Sequence, residues 1–531
     1  MYFLPEGFFV EIGDRLIMKK SLLSLGLAAL IMGLHGTAFA AYQSDSDTGA
    51  NALDYIENKR RAERENALTD EQKKLLEDAA FIKEHLREPL DPTKNVPTTF
   101  EGDDLVYDQN TGEFKATGKV HIVQMDAHQF DAVDGDAHGN TIKQEIEIPG
   151  MAHVLQMTPG QSRITLDGYQ TFYNYGKQTG TMGEAAGKVD HQYVTGKKFE
   201  FYPDHVVIYQ GTATKCSAKN PDYHLSGDKI TIWPNDKMII EHAKFWLKNV
   251  MLYKKDRVVQ DIKPGAQGPQ YPKVGYSKSD GVWISQVVTR DIMKNMNAFC
   301  YLYYGTKRGM RSNAELRWAN AGSSLRLAYG YYADYDDNWI KRKPSLIYSY
   351  SNRFKKLPFS YSLNVELGKW ERDKKNAPGS ESMHRNYKLQ LTHNPIILPG
   401  KWIMSLGAGY EITQETFNDS DVRGFSYNVG VAKEFDKTWA GYASFDYSAV
   451  NSQNSLFNFN TNDYARVFRS GVSYRLSDKD RFVCGMQYDL ERNTLRDVDY
   501  YWYHDIHCSQ LILRYRAKRD SWQVKWQFCP W

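Results

Sequence analysis

The sequence predicts an all-β protein in two parts. A β domain fills the first half, and an antiparallel transmembrane β-barrel of about 14 strands fills the second, with a short helix ahead of both. Three observations carry this. From Gly281 to Trp531, apolar and polar residues alternate through one strand-length segment after another. Aromatic residues make up 14% of the chain, with 36 Tyr, 24 Phe and 12 Trp, many of them near segment ends. Between Thr98 and about Val259, a strand–turn–strand unit recurs.

The alternation is clearest in the second half. Phe359, Tyr361, Leu363, Val365 and Leu367 share one face of a strand, and Ser360, Ser362, Asn364 and Glu366 share the other. Ala314, Leu316 and Trp318 oppose Asn313, Glu315 and Arg317 in the same way. Leu511, Leu513 and Tyr515 oppose Gln510, Arg514 and Arg516, with Ile512 out of pattern. A soluble sandwich and a membrane barrel both give this pattern. Long strands and aromatic-rich ends favour the barrel, whose apolar face meets lipid and whose polar face lines a lumen. The first and last strands are placed at about 281–294 and 521–531. On this count the long connectors 371–383 and 451–462 fall on the periplasmic side, although long loops ordinarily lie outside.

At the N-terminus, Met18-Lys19-Lys20, the apolar run Leu22 to Leu34 and Ala38-Phe39-Ala40 form the three regions of a secretory signal. Residues 1–40 are therefore read as a signal peptide, with 1–17 as an upstream extension. Export followed by barrel strands predicts the outer membrane of a double-membraned bacterium, with the first β domain in the periplasm. The net charge of +3 demands no nucleic-acid partner. A mean hydropathy of -0.60 does not exclude a barrel, because its lumen face is polar. Five cysteines, Cys216, Cys300, Cys484, Cys508 and Cys529, show no zinc spacing.

Residues 41–97 are read as a polar linker and an amphipathic helix. Thr69 and Gln72 fit a capping box, Leu75, Ala79, Ile82 and Leu86 form one stripe, and Pro89 ends it. The simplest reading is a solvated spacer in the periplasm. The β domain follows at 98–260, then a Pro/Gly-rich connector at 261–280 and the barrel at 281–531. In the β domain, Leu105-Val106-Tyr107-Asp108 leads to Ala116-Thr117-Gly118-Lys119-Val120. Phe172-Tyr173-Asn174-Tyr175 leads likewise to Ala185-Ala186-Gly187-Lys188-Val189. Such repeats bury their apolar faces only by stacking on neighbours. Val120, Ile122, Ile146, Ile148, Ile164, Leu166, Phe199, Phe201, Ile230, Ile232 and Phe245 alternate with polar residues and form either a core or the lining of an open groove.

The series from Asp104 to Val120, with Asp108, Thr111-Gly112, Ala116, Gly118 and Val120, resembles the OstA-like domain of lipopolysaccharide-transport proteins. Thr212 to Cys216, Pro221 to Leu225 and Asp228 to Ile230 resemble the stretch that leads into the barrel of the LPS-assembly protein LptD family. Asp505-Ile506-His507-Cys508 stands where that family carries a cysteine. The barrel is short for the family, no cysteine precedes Cys216, and Ser509 follows Cys508, so a lock of two disulfides is absent.

The resemblance implies a β-taco or jelly-roll domain, with the apolar set lining a groove for acyl chains. It implies a lateral seam between the first and last strands, with Pro530 as a candidate gate residue. It also points to a bridge between Cys216 and Cys508; the alternative is two free or separately paired thiols. Cys300 and Cys484 share the parity of lipid-facing neighbours. The implied role is a translocon that receives lipopolysaccharide and inserts it into the outer leaflet. The implied partners are an LptA-like periplasmic bridge protein, an LptE-like plug lipoprotein, the barrel-assembly machinery and outer-membrane lipids. No catalytic set, metal site or cofactor motif appears in the sequence. The rival readings are a porin-like channel with an accessory domain and, further off, a barrel lipase.

Overall fold

The computed structural model describes residues 51–84 and 97–528, apart from 134, 159–162, 219, 235, 263–271, 335–336 and 373–379. Two units result, and each is described by itself.

The first unit is a closed antiparallel barrel of sixteen strands among the described residues, not fourteen. It starts at Lys273–Ser277, inside the stretch read as connector, and ends at Ser521–Phe528. Fifteen of the strands lie within 281–528; the remaining one, Lys273–Ser277, is five residues long, contains Gly275 and follows a Pro/Gly-rich run, which hid it in the sequence. Counting it reverses the sense of the strands. Arg372 and Glu381, which flank the first of these connectors, and the connector 449–465 lie opposite the end at which the chain enters, while the entry end carries tight turns such as 294–295, 321–322 and 507–508. The long loops therefore fall where barrels ordinarily carry them.

Residue exposure decides between barrel and sandwich. Leu325, Leu327 and Tyr329 are exposed at 38%, 47% and 55%, while Arg326 between them is 5% exposed. Apolar residues face outward and charged ones inward, the inverse of a water-soluble core. Trp402, Trp439 and Phe435 stand exposed near the entry end, and Tyr304, Tyr329 and Trp522 near the other. This matches aromatic girdles at two interfaces.

The second unit is a 14-stranded antiparallel sheet. Strand Glu145–Gln156 divides at its middle, with a register shift between Ile148 and Met151. Glu145 to Glu147 pair with 138–140, and Ala152 to Gln156 pair with 128–132, so the strand feeds two walls. Later strands bend at matching places. Gly196 and Gly211 mark two of these corners. A Cβ on Gly211 would lie 2.4 Å from the Thr195 carbonyl oxygen, and one on Gly196 2.4 Å from Ile208 Cγ2. Across the fold, Met182, Phe199, Ile208, Ile230 and Ile240 oppose one another in register over five strands, and each is fully buried. Burial of each such side chain contributes about 2 kcal/mol.

Residues 51–84 hold two helices rather than one spacer: α1, Asn51–Asn66, and α2, Asp70–Glu84; Leu86 and Pro89 lie outside the described residues. Thr69 and Gln72 do form the capping box, with reciprocal hydrogen bonds of 3.2 Å. Helix α2 is docked, not solvated. Leu75 and Ala79 pack on Val123, Ala127, Leu155 and Met157 of the sheet. Polar contacts reinforce this: His153 lies 3.0 Å from Glu71 of α2 and 2.7 Å from Asp167.

Burial alone would lower the His153 pKa, but the Asp167 hydrogen bond and the Glu71 carboxylate outweigh it and raise the value. A raised folded-state pKa means the imidazolium's contribution is complete below the ordinary histidine range. It fades as pH climbs through the elevated value. Protection of the α2 amides, meaning exchange relative to the intrinsic rate at each pH, should therefore be greater at about pH 6 than at about pH 9. H153Q should flatten most of that difference, and an unchanged pH profile in the variant would exclude this contact as the cause.

Candidate functional site: the lumen and the seam

The lumen wall is built from the inward faces of the strands and is rich in ion pairs. Arg342 makes a bidentate contact to Glu366 at 2.6 and 3.0 Å. Arg317 meets Glu315 at 2.6 Å, Arg469 meets Asp446 at 2.6 Å, Arg514 meets Asp499 at 2.5 Å and Arg516 meets Asp497 at 2.7 Å. Buried charges are tolerated only when paired in this manner. The wall therefore presents a balanced polar lining instead of a surface of one sign.

Two elements fold into this space. At the entry end, α1 rests on an arc of six consecutive strands. Leu53 and Ile56 pack on Ala440, Tyr442, Val483, Tyr501, Tyr503 and Ile512. At the other end, the loop 449–465 turns inward and sets Phe457 and Phe459 against Tyr332, Ile340 and Trp370. The Phe457 and Trp370 rings meet edge-on at 5.4 Å between centroids. Asn338 Nδ2 donates to the Asn458 carbonyl at 3.1 Å, and the Asn460 amide donates to Asp334 at 3.2 Å.

The barrel closes between its first and last strands. Val274, Gly275, Tyr276 and Ser277 pair with Trp526, Lys525, Val524 and Gln523. This ladder of four is short among the described residues. Of its two neighbouring ladders, the one from Lys273–Ser285 to Ser277–Gly281 has five pairs and the one from Ser509–Phe528 to Arg516–Ser521 has eight, while the ladder between Trp402–Glu415 and Ser420–Glu434 takes in every residue of Trp402–Glu415. The first strand was expected at 281–294; it is Lys273–Ser277. The gate candidate Pro530 lies outside the described residues, as does Cys529.

The other expected site residues fall as follows. Cys216 and Cys508 are both disulfide-bonded and both buried, at 2% and 1% exposure. Cys508 sits in the turn 507–508 at the entry end, one residue before the strand Ser509–Arg516. Cys300 and Cys484 are free thiols on lipid-facing parity. All eleven apolar candidates of the β domain are buried, from 0% to 7% exposed. They face the interior of the folded sheet. Strand alternation alone does not reveal whether the opposite wall is in contact. Acyl chains could enter only if the two walls of the folded sheet separated.

The sheet also offers open edges. Among the described residues Asp104–Tyr107 pairs only with Glu113–Thr117, and its Leu105, Val106 and Tyr107 are exposed at 49%, 70% and 50%. At the far side, Val250–Asp261 pairs, among the described residues, only with Lys237–Leu247. Lys254, Lys255 and Arg257 stand along it, a common guard on exposed edges.

Closure, the outward apolar band and the polar lumen define the class: a transmembrane β-barrel of the kind found in outer-membrane channels and transporters. No protein-family model matches the chain, and no curated protein matches it. Among solved structures, a triple mutant of Rh. blastica porin is similar at 11% identity and a TM-score of 0.29, over 49% of this chain and 98% of that one. BamA from Haemophilus ducreyi lacking POTRA domains 1–3 is similar at 11% identity and 0.31, over 52% and 73%. The P pilus usher PapC translocation pore is similar at 10% identity and 0.24, over 83% and 78%. These likenesses concern fold alone.

Proposed function

We propose that the protein is an LptD-like outer-membrane translocon that takes lipopolysaccharide from a periplasmic bridge and releases it sideways into the outer leaflet. One observation carries this reading: a closed barrel whose seam among the described residues is a ladder of four, in the same chain as a folded, open-edged β sheet. A short seam is the place where such a wall parts most readily. An open edge such as Asp104–Tyr107 accepts a strand from an LptA-like bridge protein by edge addition. The entry end then faces the periplasm, and the interior around Ile230 opens to carry acyl chains, which cannot cross water exposed at about 0.8 kcal/mol per CH₂. The work is transport, without a reaction at the lumen.

Within this reading Cys216 and Cys508 pair with each other. The bridge would close a long loop and contribute about 5 kcal/mol on chain-entropy grounds, a model-dependent account. C216S and C508S should then give the same slower-migrating form on non-reducing gels, and different migration of the two would separate the cysteines into different bridges.

A second reading, a porin-like channel with an accessory domain, is favoured by the inward loop 449–465, which narrows the lumen. Depletion distinguishes the two. The translocon reading expects surface lipopolysaccharide to fall and a photoreactive residue at Ile230 to capture lipopolysaccharide. Unchanged surface lipopolysaccharide with ion conductance through the purified protein would establish the channel instead.

A further inference from the structure

We propose that helix α1 is a plug for the barrel lumen supplied by the barrel's own chain, seated in a site shaped for it. This holds whatever the cargo, and it goes beyond the translocon reading, which expects a separate plug protein.

The complementarity runs in both directions. The wall offers two guanidinium groups, Arg475 and Arg481, 8% and 4% exposed. The helix brings Glu57 to Arg475 and Asp54 to Arg481. In return the helix offers Arg60 and Arg61, and the wall supplies Glu434 at 3.0 Å and Asp505 at 2.5 Å. Arg481 also donates to the Leu53 carbonyl at 3.3 Å, and the Tyr503 hydroxyl donates to Asp54 at 3.3 Å. Glu57 itself is 2% exposed, with Arg61 3.2 Å away on the next turn. Removing the helix would strip Arg475 and Arg481 of these carboxylates within a largely enclosed wall, an arrangement that is costly unless compensated.

Between these charges lies an apolar floor that a water-filled lumen does not need. Ile512 breaks the alternation of its strand and points inward. It joins Ala440, Val483, Tyr442, Tyr501 and Tyr503 to receive Leu53 and Ile56. Sixteen strands enclose a lumen wide enough for an aqueous channel. A 16-residue helix is about 24 Å long, enough to obstruct one end of it.

The test uses full-length protein in planar lipid bilayers, in a chain whose loop residues 452–462 are replaced by a short Gly-Ser turn, so that α1 alone stands in the lumen. Heat-modifiable gel migration confirms that each variant holds a folded barrel. The expected result is a silent membrane with α1 present and discrete open steps once residues 51–66 are deleted. Equal conductance with and without α1, whether both open or both silent, would overturn the proposal. Charge exchange supplies a check on seating. D54R and R481D should each open the pore, and the D54R/R481D pair should close it again. A double variant as open as either single one would refute the docking geometry.

Discussion

If lipopolysaccharide leaves through the seam as proposed, Tyr276→Cys with Val524→Cys should link the barrel's first strand to its last and abolish delivery of lipopolysaccharide to the cell surface. The two positions are direct partners in the seam ladder. Directly opposed residues bring their Cβ atoms to about 4.5–5.5 Å, close to the span of a disulfide. The expected loss is near complete, because on the proposed route a covalent link replaces a ladder that would have to part for each lipid. Opening four residue pairs breaks only about four backbone hydrogen bonds, since neighbouring strands share roughly one per residue. Parting the long ladders elsewhere breaks several times as many, each of them costly to leave unpaired in lipid. A control pair, Leu327→Cys with Leu346→Cys, joins two opposed outward residues in the middle of the wall. That variant should keep full surface lipopolysaccharide. Cells that carry the linked seam and still export normally would leave the lateral route without support.

Much of the barrel was legible because its physics repeats with a period of two. Arg326 and Leu327 sort to opposite faces by parity alone, and the structure keeps them there. The same parity placed Cys300 and Cys484 beside lipid-facing neighbours. Local rules failed where the deciding partner is far away in the chain. Asp54, Glu57, Arg60 and Arg61 read as a solvated helix face, because their partners, Glu434, Arg475, Arg481 and Asp505, lie hundreds of residues downstream. Leu53 and Ile56 alone are too narrow a stripe to announce a docking helix. One signal did exist. Ile512 sat out of pattern among lumen-facing residues, and an apolar side chain inside a polar lumen asks for an apolar partner. The strand count failed for a different reason. Lys273–Ser277 is too short, and its Gly275 too weak a strand former, to stand out from the irregular run before it. Whether the eleven apolar residues of the β domain line a groove or fill a core depends on the distance between two walls, which no periodicity encodes.

Replacing Arg342 with methionine should destabilise the barrel by about 3–5 kcal/mol, since it strands Glu366 in an enclosed place. Arg342 is 3% exposed and Glu366 9%. The guanidinium donates two hydrogen bonds to the carboxylate, and the Trp370 indole N–H donates a third at 3.1 Å. Arg342 also lies 4.2 Å from the Tyr332 ring centroid and 5.4 Å from that of Phe459, so it helps seat the inward loop as well as the wall. Its loss should therefore show twice: a lower urea midpoint in heat-modifiable gel assays, and easier proteolysis within 449–465. Removing both charges in R342M/E366M separates the two roles. An apolar pair of similar volume should recover most of the stability, because no unpaired charge remains. It should not restore protection of the loop, because the cation facing Phe459 is still missing. If R342M unfolds at the wild-type midpoint, Glu366 has found water or another partner, and the lumen at that level is wetter than its low exposure implies.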